Sequence, residues 1–98
     1  MRNLKYVDAL SFLNDSGEYL ANGPDNQTAI QLVTDLTEYG CTVTAELDTD
    51  YNDEEHFDAV LFVKLPKEIE PELIVTIVRS RPNEISEEEE GVLRLWWD

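Results

Sequence analysis

The residues from Asp48 to Glu55 read Asp-Thr-Asp-Tyr-Asn-Asp-Glu-Glu and begin like a calcium loop, with side-chain oxygens at alternate positions. The pattern then departs from an EF-hand. Asp53 stands where the loop needs glycine for its sharp turn, and Ala59 where the bidentate glutamate belongs. No metal site is assigned, and a solvated hairpin loop is expected instead. Cys41 and His56 are the residue types of a thiol–imidazole pair. They fall at opposite ends of one expected strand, about 20 Å apart at ~3.4 Å per residue. Cys41 therefore reads as a small buried apolar residue and His56 as a surface loop residue. The sequence contains no glycine-rich phosphate loop, no G-x-S-x-G and no zinc-ligand spacing. Carboxylates are abundant, but paired acid–base catalysis needs two of them in contrasting environments within a cleft, and nothing points to one. The expectation is a protein that is not an enzyme and carries no cofactor.

Charge is the dominant signal. The 98 residues hold 22 Asp and Glu against 7 Lys and Arg, a formal net charge of -15. Such an excess opposes compaction and argues against direct binding of nucleic acid or an anionic membrane. It favours a basic protein partner. The hydrophobic fraction of 42% is that of a folded chain, and the length suits a single domain spanning 1–98. One cysteine excludes an internal disulfide and fits a reducing compartment. No apolar run approaches the ~20 residues of a membrane span, and Met1-Arg2-Asn3-Leu4 lacks the apolar stretch of a signal peptide. A cytoplasmic location is expected.

The elements that must position these charges follow from periodicity. Leu4, Val7, Leu10 and Leu13 recur three apart, a helix-like spacing that Gly17 ends. Residues 4–21 are thus expected to be helical or irregular. Asn22-Gly23-Pro24-Asp25 is a turn cluster. Asp25 or Asn26 then caps a helix over 27–39, with Ala29, Leu32, Val33 and Leu36 on one face and Gly40 as its C-terminal cap. Four alternating runs follow at 41–48, 57–65, 73–80 and 92–97. Pairing Leu47 with Phe57, Leu65 with Leu73 and Ile77 with Leu93 keeps every apolar set on one side. The expected fold is α+β: a four-stranded antiparallel meander in order 1-2-3-4, with one main helix on one face.

Such a meander brings connections 48–56 and 81–91 to the same end. Asp48, Asp50, Asp53, Glu54, Glu55, Glu84, Glu87, Glu88, Glu89 and Glu90 would there form one acidic pole, the expected partner-binding site. Carboxylates two apart on a strand sit ~6.8 Å from each other, close to the separation of successive phosphates in a nucleic-acid strand. The composition has the character of phage and mobile-element inhibitors of restriction, CRISPR or repair enzymes, which occupy a basic nucleic-acid-binding surface. An immunity protein or antitoxin that neutralises a basic toxin nuclease would share it, and so would a domain adapted to high salt.

The second sheet face carries Val60, Phe62, Ile74 and Trp96. Cover by residues 4–21 is expected, with a homodimer or partner interface as the alternative to a self-covered monomer. Alternation sends Trp96 and Trp97 to opposite faces, Trp97 into the helix-covered core.

Overall fold

The computed structural model describes residues 3–20 and 23–98; Met1, Arg2, Ala21 and Asn22 lie outside the described residues, and with them part of the expected turn cluster. The order of elements is β1 (Asn3–Asp8), α1 (Ala9–Ser16), α2 (Asn26–Glu38), β2 (Thr42–Thr49), β3 (Glu55–Lys64), α3 (Pro71–Arg79), β4 (Glu84–Glu89) and β5 (Val92–Trp96). The fold is α+β. One five-stranded sheet runs in order β1-β2-β3-β5-β4, with every neighbouring pair antiparallel.

The best-marked helix forms where expected. The Asp25 carboxylate accepts from the Thr28 amide at 2.8 Å, and hydrogen bonding to Thr28, through its side chain first and then this amide, lowers the carboxyl pKa from its ordinary value. Ala29, Leu32, Val33 and Leu36 are all buried. Gly40 follows at φ 93°, a conformation that excludes most side chains, and its α-carbon faces Pro66. The β2–β3 register also matches expectation, with Leu47 opposite Phe57.

The N-terminal segment divides in two. Residues 3–8 are an edge strand on β2, and the helix begins only at Ala9. The Asp8 carboxylate caps it by accepting from the Ser11 amide at 3.0 Å, and Gly17 closes it by donating its N–H to the Leu13 carbonyl at 3.1 Å. The three-residue spacing of Leu4 and Val7 also fits a strand followed by a helix, because Val7 points to the core side from either.

The expected strand over 73–80 is helix α3. Ile74, Val75, Thr76, Ile77 and Val78 are all β-branched and favour strands locally. Tertiary burial overrides that preference. Leu73 and Ile77, four apart, enter the same core as Leu95 and Trp97, while Ile74, Val75 and Val78 stay exposed. Pro71 sits in the first turn, where its fixed φ suits a helix and its missing N–H costs nothing. Ile77→Ala is therefore expected to cost about 2–4 kcal/mol, and Val78→Ala less than about 0.5 kcal/mol, in urea unfolding. A strand at 73–80 would bury neither pattern selectively.

With 73–80 removed from the sheet, the pairings Leu65–Leu73 and Ile77–Leu93 do not exist. Val63 faces Leu93 across β3 and β5 instead. Besides β1, a second unexpected strand is β4, formed by residues expected to be loop. It joins β5 through a tight turn at Gly91, whose φ is 79°.

All three helices lie on one face. Phe12 of α1 meets Phe57 of β3 edge-on at a ring separation of 5.0 Å, α1 packs on α2 and β2, and α2 on α3. The core between helices and sheet contains Leu13, Leu36, Leu61, Val63, Leu73, Leu95 and Trp97. Every buried residue among those described is apolar. Among the described residues no helix is long and apolar enough to cross a membrane.

Candidate functional site: an acidic edge, an acidic tip and an open sheet face

The topology separates the two acidic stretches. Residues 50–54 form the tip of the β2–β3 hairpin, beside the pair Thr49–Glu55. The turn after β4 lies at the other end of β3, where Lys64 pairs with Val92 and the Leu65 amide bonds to the Gly91 carbonyl. The single pole is therefore corrected to two sites. Asp48, Asp50, Asp53, Glu54 and Glu55 stand at one end, and Glu87, Glu88, Glu89 and Glu90 at the other. Glu84 lies between them, opposite Trp96. The span of β3 puts the ends about 30 Å apart. The cause is β4, a strand where a connection was expected: α3 makes the crossing expected of 73–80, and β4 then carries the chain back along the sheet before the turn at 90–91.

At the tip, one Asp50 oxygen accepts from the amides of Asn52 (2.8 Å) and Glu54 (3.1 Å), and the other lies 3.0 Å from His56 Nε2. These bonds, that to His56 first, hold the Asp50 carboxyl below its ordinary range. The same contact with Asp50 raises the imidazole pKa above its ordinary 6.5. Asp50, Glu54 and His56 bring ligand atoms within 4.8 Å of one another, a donor set a divalent cation accepts. Asp50, however, already holds the loop. Its contact with His56 is strongest where the imidazole is charged and the carboxyl ionised. The histidine contribution is complete below pH 6.5 and fades as pH rises through the raised value; the carboxylate contribution is complete above pH 3.8 and fades as pH falls through the lowered one. In an NMR titration His56 should show a midpoint above 6.5, and Asp50→Asn should lower it. An unchanged midpoint in that variant would show that the pair does not form in solution.

At the other end, β4 is an edge strand with one unpaired row of backbone groups. Glu84, Glu87, Glu88 and Glu89 are all exposed on it. Charges so placed discourage a second copy from extending the sheet, so part of this acidity protects the edge. Glu55 differs, since it forms an ion pair with Lys5 at 2.9 Å.

Among the described residues no helix covers the sheet face opposite the helix layer, and that face is only partly open. Residues 4–20 reach it only in part: β1 extends the edge and α1 joins the helix layer, but Tyr6 stands against Phe62, and Glu18 and Tyr19 line a groove with Val60 and Trp96. Val60, Phe62 and Trp96 do share this face, with Trp96 opposite Val60 and Arg94 opposite Phe62. Val60 is only 2% exposed, and Phe62 and Trp96 are partly buried. Ile74 does not belong with them: it is an exposed residue of α3, in the layer on the other side of the sheet. Trp97 turns into the helix-covered core as expected.

Tyr6 stands edge-on to Phe62 at 5.3 Å, and its hydroxyl donates to Glu46 at 3.4 Å. Burial first, then the negative field of Glu46 and Glu88, pushes the phenol pKa up, with Arg94 opposing. Glu88 of β4 lines a hollow together with Tyr6 and Phe62. Tyr6, Glu46, Asp58 and Arg94 were not singled out in the sequence. Strict alternation in Val-Leu-Arg-Leu-Trp does put Arg94 beside Trp96, and that signal was available.

Cys41 and His56 are far apart, as the strand lengths require: Cys41 is buried just before β2, and His56 pairs with Asp48 near the other end. Burial raises the thiol pKa, which leaves it an unreactive core residue.

Comparison with protein-family models, curated proteins and solved structures finds no match for this chain.

Proposed function

We propose that this chain is a small acidic binding protein that occupies the basic, nucleic-acid-binding surface of a partner protein. One observation supports this most directly. Two exposed acidic stretches, at the hairpin tip and along β4, are held about 30 Å apart by a single rigid sheet. That spacing is close to one turn of duplex DNA, about 34 Å. Glu46, Asp58 and Glu84 add charge between them. Among the described residues the ion pairs are Lys5–Glu55 and His56–Asp50, so most of this carboxylate charge is not offset by a neighbouring side chain. A basic groove built for phosphates would meet a similar distribution of negative charge, and encounter would be fast and steered.

The test begins with capture of partners from the source cells on immobilised protein at low ionic strength. The reading expects a nucleic-acid-handling protein whose measured affinity falls steeply as salt rises. A partner with no salt dependence would contradict it. A fold that melts at low ionic strength and forms only in concentrated salt would assign the acidity to salt adaptation instead.

A further inference from the structure

A groove of about 960 Å³ opens where β3 departs from regular pairing. Between Ala45 and Leu47 the β2–β3 register shifts, and Ala59 adopts φ 58°. A non-glycine residue in that region is strained, and irregularities of this kind gather where a sheet must present a side chain. The irregularity exposes Asp58 beside the end of β5. Its lining includes the rings of Trp96 and Tyr19, the apolar Val60 and the carboxylates of Glu18, Glu46 and Asp58.

We propose that this groove receives an arginine side chain presented by the protein partner. The inference rests on the reading above that the partner is basic, and names the side chain it inserts. Charge complementarity selects a cation. The lining includes the acidic side chains of Glu18, Glu46, Asp48 and Asp58, against the single guanidinium of Arg94. Arg94 lies one register step away, opposite Phe62, whereas Trp96 is opposite Val60. The aromatic side chains in the lining select arginine over lysine. A planar guanidinium stacks on an indole or phenol face while its edge N–H groups donate to carboxylates, and a hydrated ammonium does this less well. Tyr19 is 57% exposed and Trp96 partly so, which leaves ring surface available on both. The hairpin tip and β4 carry more acid but no such pair of rings. They supply diffuse attraction, and the groove supplies a seat.

The experiment is an NMR titration of the full chain with the peptide acetyl-Gly-Gly-Arg-Gly-Gly-amide. Two matched peptides carry lysine or uncharged citrulline in place of arginine. A dissociation constant near 1 mM is the scale for one such side chain. The expected result is saturable shifts of the Trp96 indole N–H and of the amides of Asp58, Ala59 and Val60. Arginine should bind several-fold more tightly than lysine, and citrulline should not saturate. Trp96→Ala and the isosteric Asp58→Asn should each weaken arginine binding at least several-fold, with the rest of the spectrum unchanged to show that the fold is intact. Shifts spread over the tip and β4, equal for arginine and lysine, would overturn the seat but leave the acidic docking reading standing. Absence of saturation with all three peptides would overturn it as well. Saturable binding here, together with a partner indifferent to charge reversal at the tip and β4, would instead count against the broader reading alone.

Discussion

Reversing charge at both ends of the sheet is expected to weaken partner binding by at least about 100-fold while the domain stays folded. The structure dictates which residues to change. Asp53 has φ 60°, so lysine there would be strained and asparagine is the better neutral replacement. Glu55 already pairs with Lys5, and a lysine in its place would set two ammonium groups against each other. The tip variant is therefore Asp53→Asn with Glu54→Lys, and the edge variant Glu87→Lys with Glu89→Lys. Single neutral substitutions at exposed acids should each change affinity by no more than about fivefold, because isolated surface pairs are weak. The combined variant acts through the summed field, so its effect should exceed any single change and should fall at high salt. Its melting temperature should hold or rise, since it removes repulsion from a chain of net charge -15. Calorimetric titration of the partner with wild type, each end variant and the combination would apportion the effect. Equal affinity across all four would assign the acidity to solvation and edge protection.

Trp97→Ala is expected to be the most damaging single change to stability, costing about 3–5 kcal/mol. Trp97 is 1% exposed in the core between α3 and the sheet. Its indole N–H donates to the Ser80 carbonyl at 2.8 Å, and its amide donates to the Ala59 carbonyl at 3.1 Å. One residue thus ties the end of α3 to the irregular part of β3 that forms the groove. For a domain with about 5–15 kcal/mol in total, the loss is a large fraction. At about 4–8 °C per kcal/mol the melting temperature should drop by more than about 12 °C. Trp97→Phe keeps most of the burial but strands the Ser80 carbonyl, and should cost about 1–2 kcal/mol. Trp96→Ala, on the open face, should cost less than either. Thermal unfolding of the three variants checks the order. If Trp96→Ala were the most destabilising, the faces would be reversed.

These two tryptophans show what could be read from the chain alone. Alternation along β5 separates Trp97 from Trp96, and the period-two rule holds because β5 is a short, regular, central strand. The helix over 26–38 was equally legible, since its apolar stripe, Asp25 cap and Gly40 stop all agree. The failures come from segments where local preference and tertiary burial conflict. In α3 the β-branched run favours a strand, and Leu73 and Ile77 fit periods of two and of four equally well. Only the need to cover Leu95 and Trp97 decides between them. In β4 the glutamates argue against a strand, yet an edge strand needs little more than its backbone ladder; its one apolar residue, Ile85 opposite Leu95, is itself exposed. The second of these failures moved Glu87 to Glu90 from the expected end of the molecule to the other. The groove was not legible, because it depends on the irregular pairing of Ala59, which no residue type announces.

The central claim is that the acidic sheet occupies a surface the partner uses for nucleic acid. The most direct measurement is competition on the isolated partner, with a fluorescent duplex as its bound probe. Wild-type protein should displace the duplex to completion with a one-site isotherm, and the combined charge-reversal variant should not. A stable ternary complex of partner, duplex and wild-type protein would contradict the account.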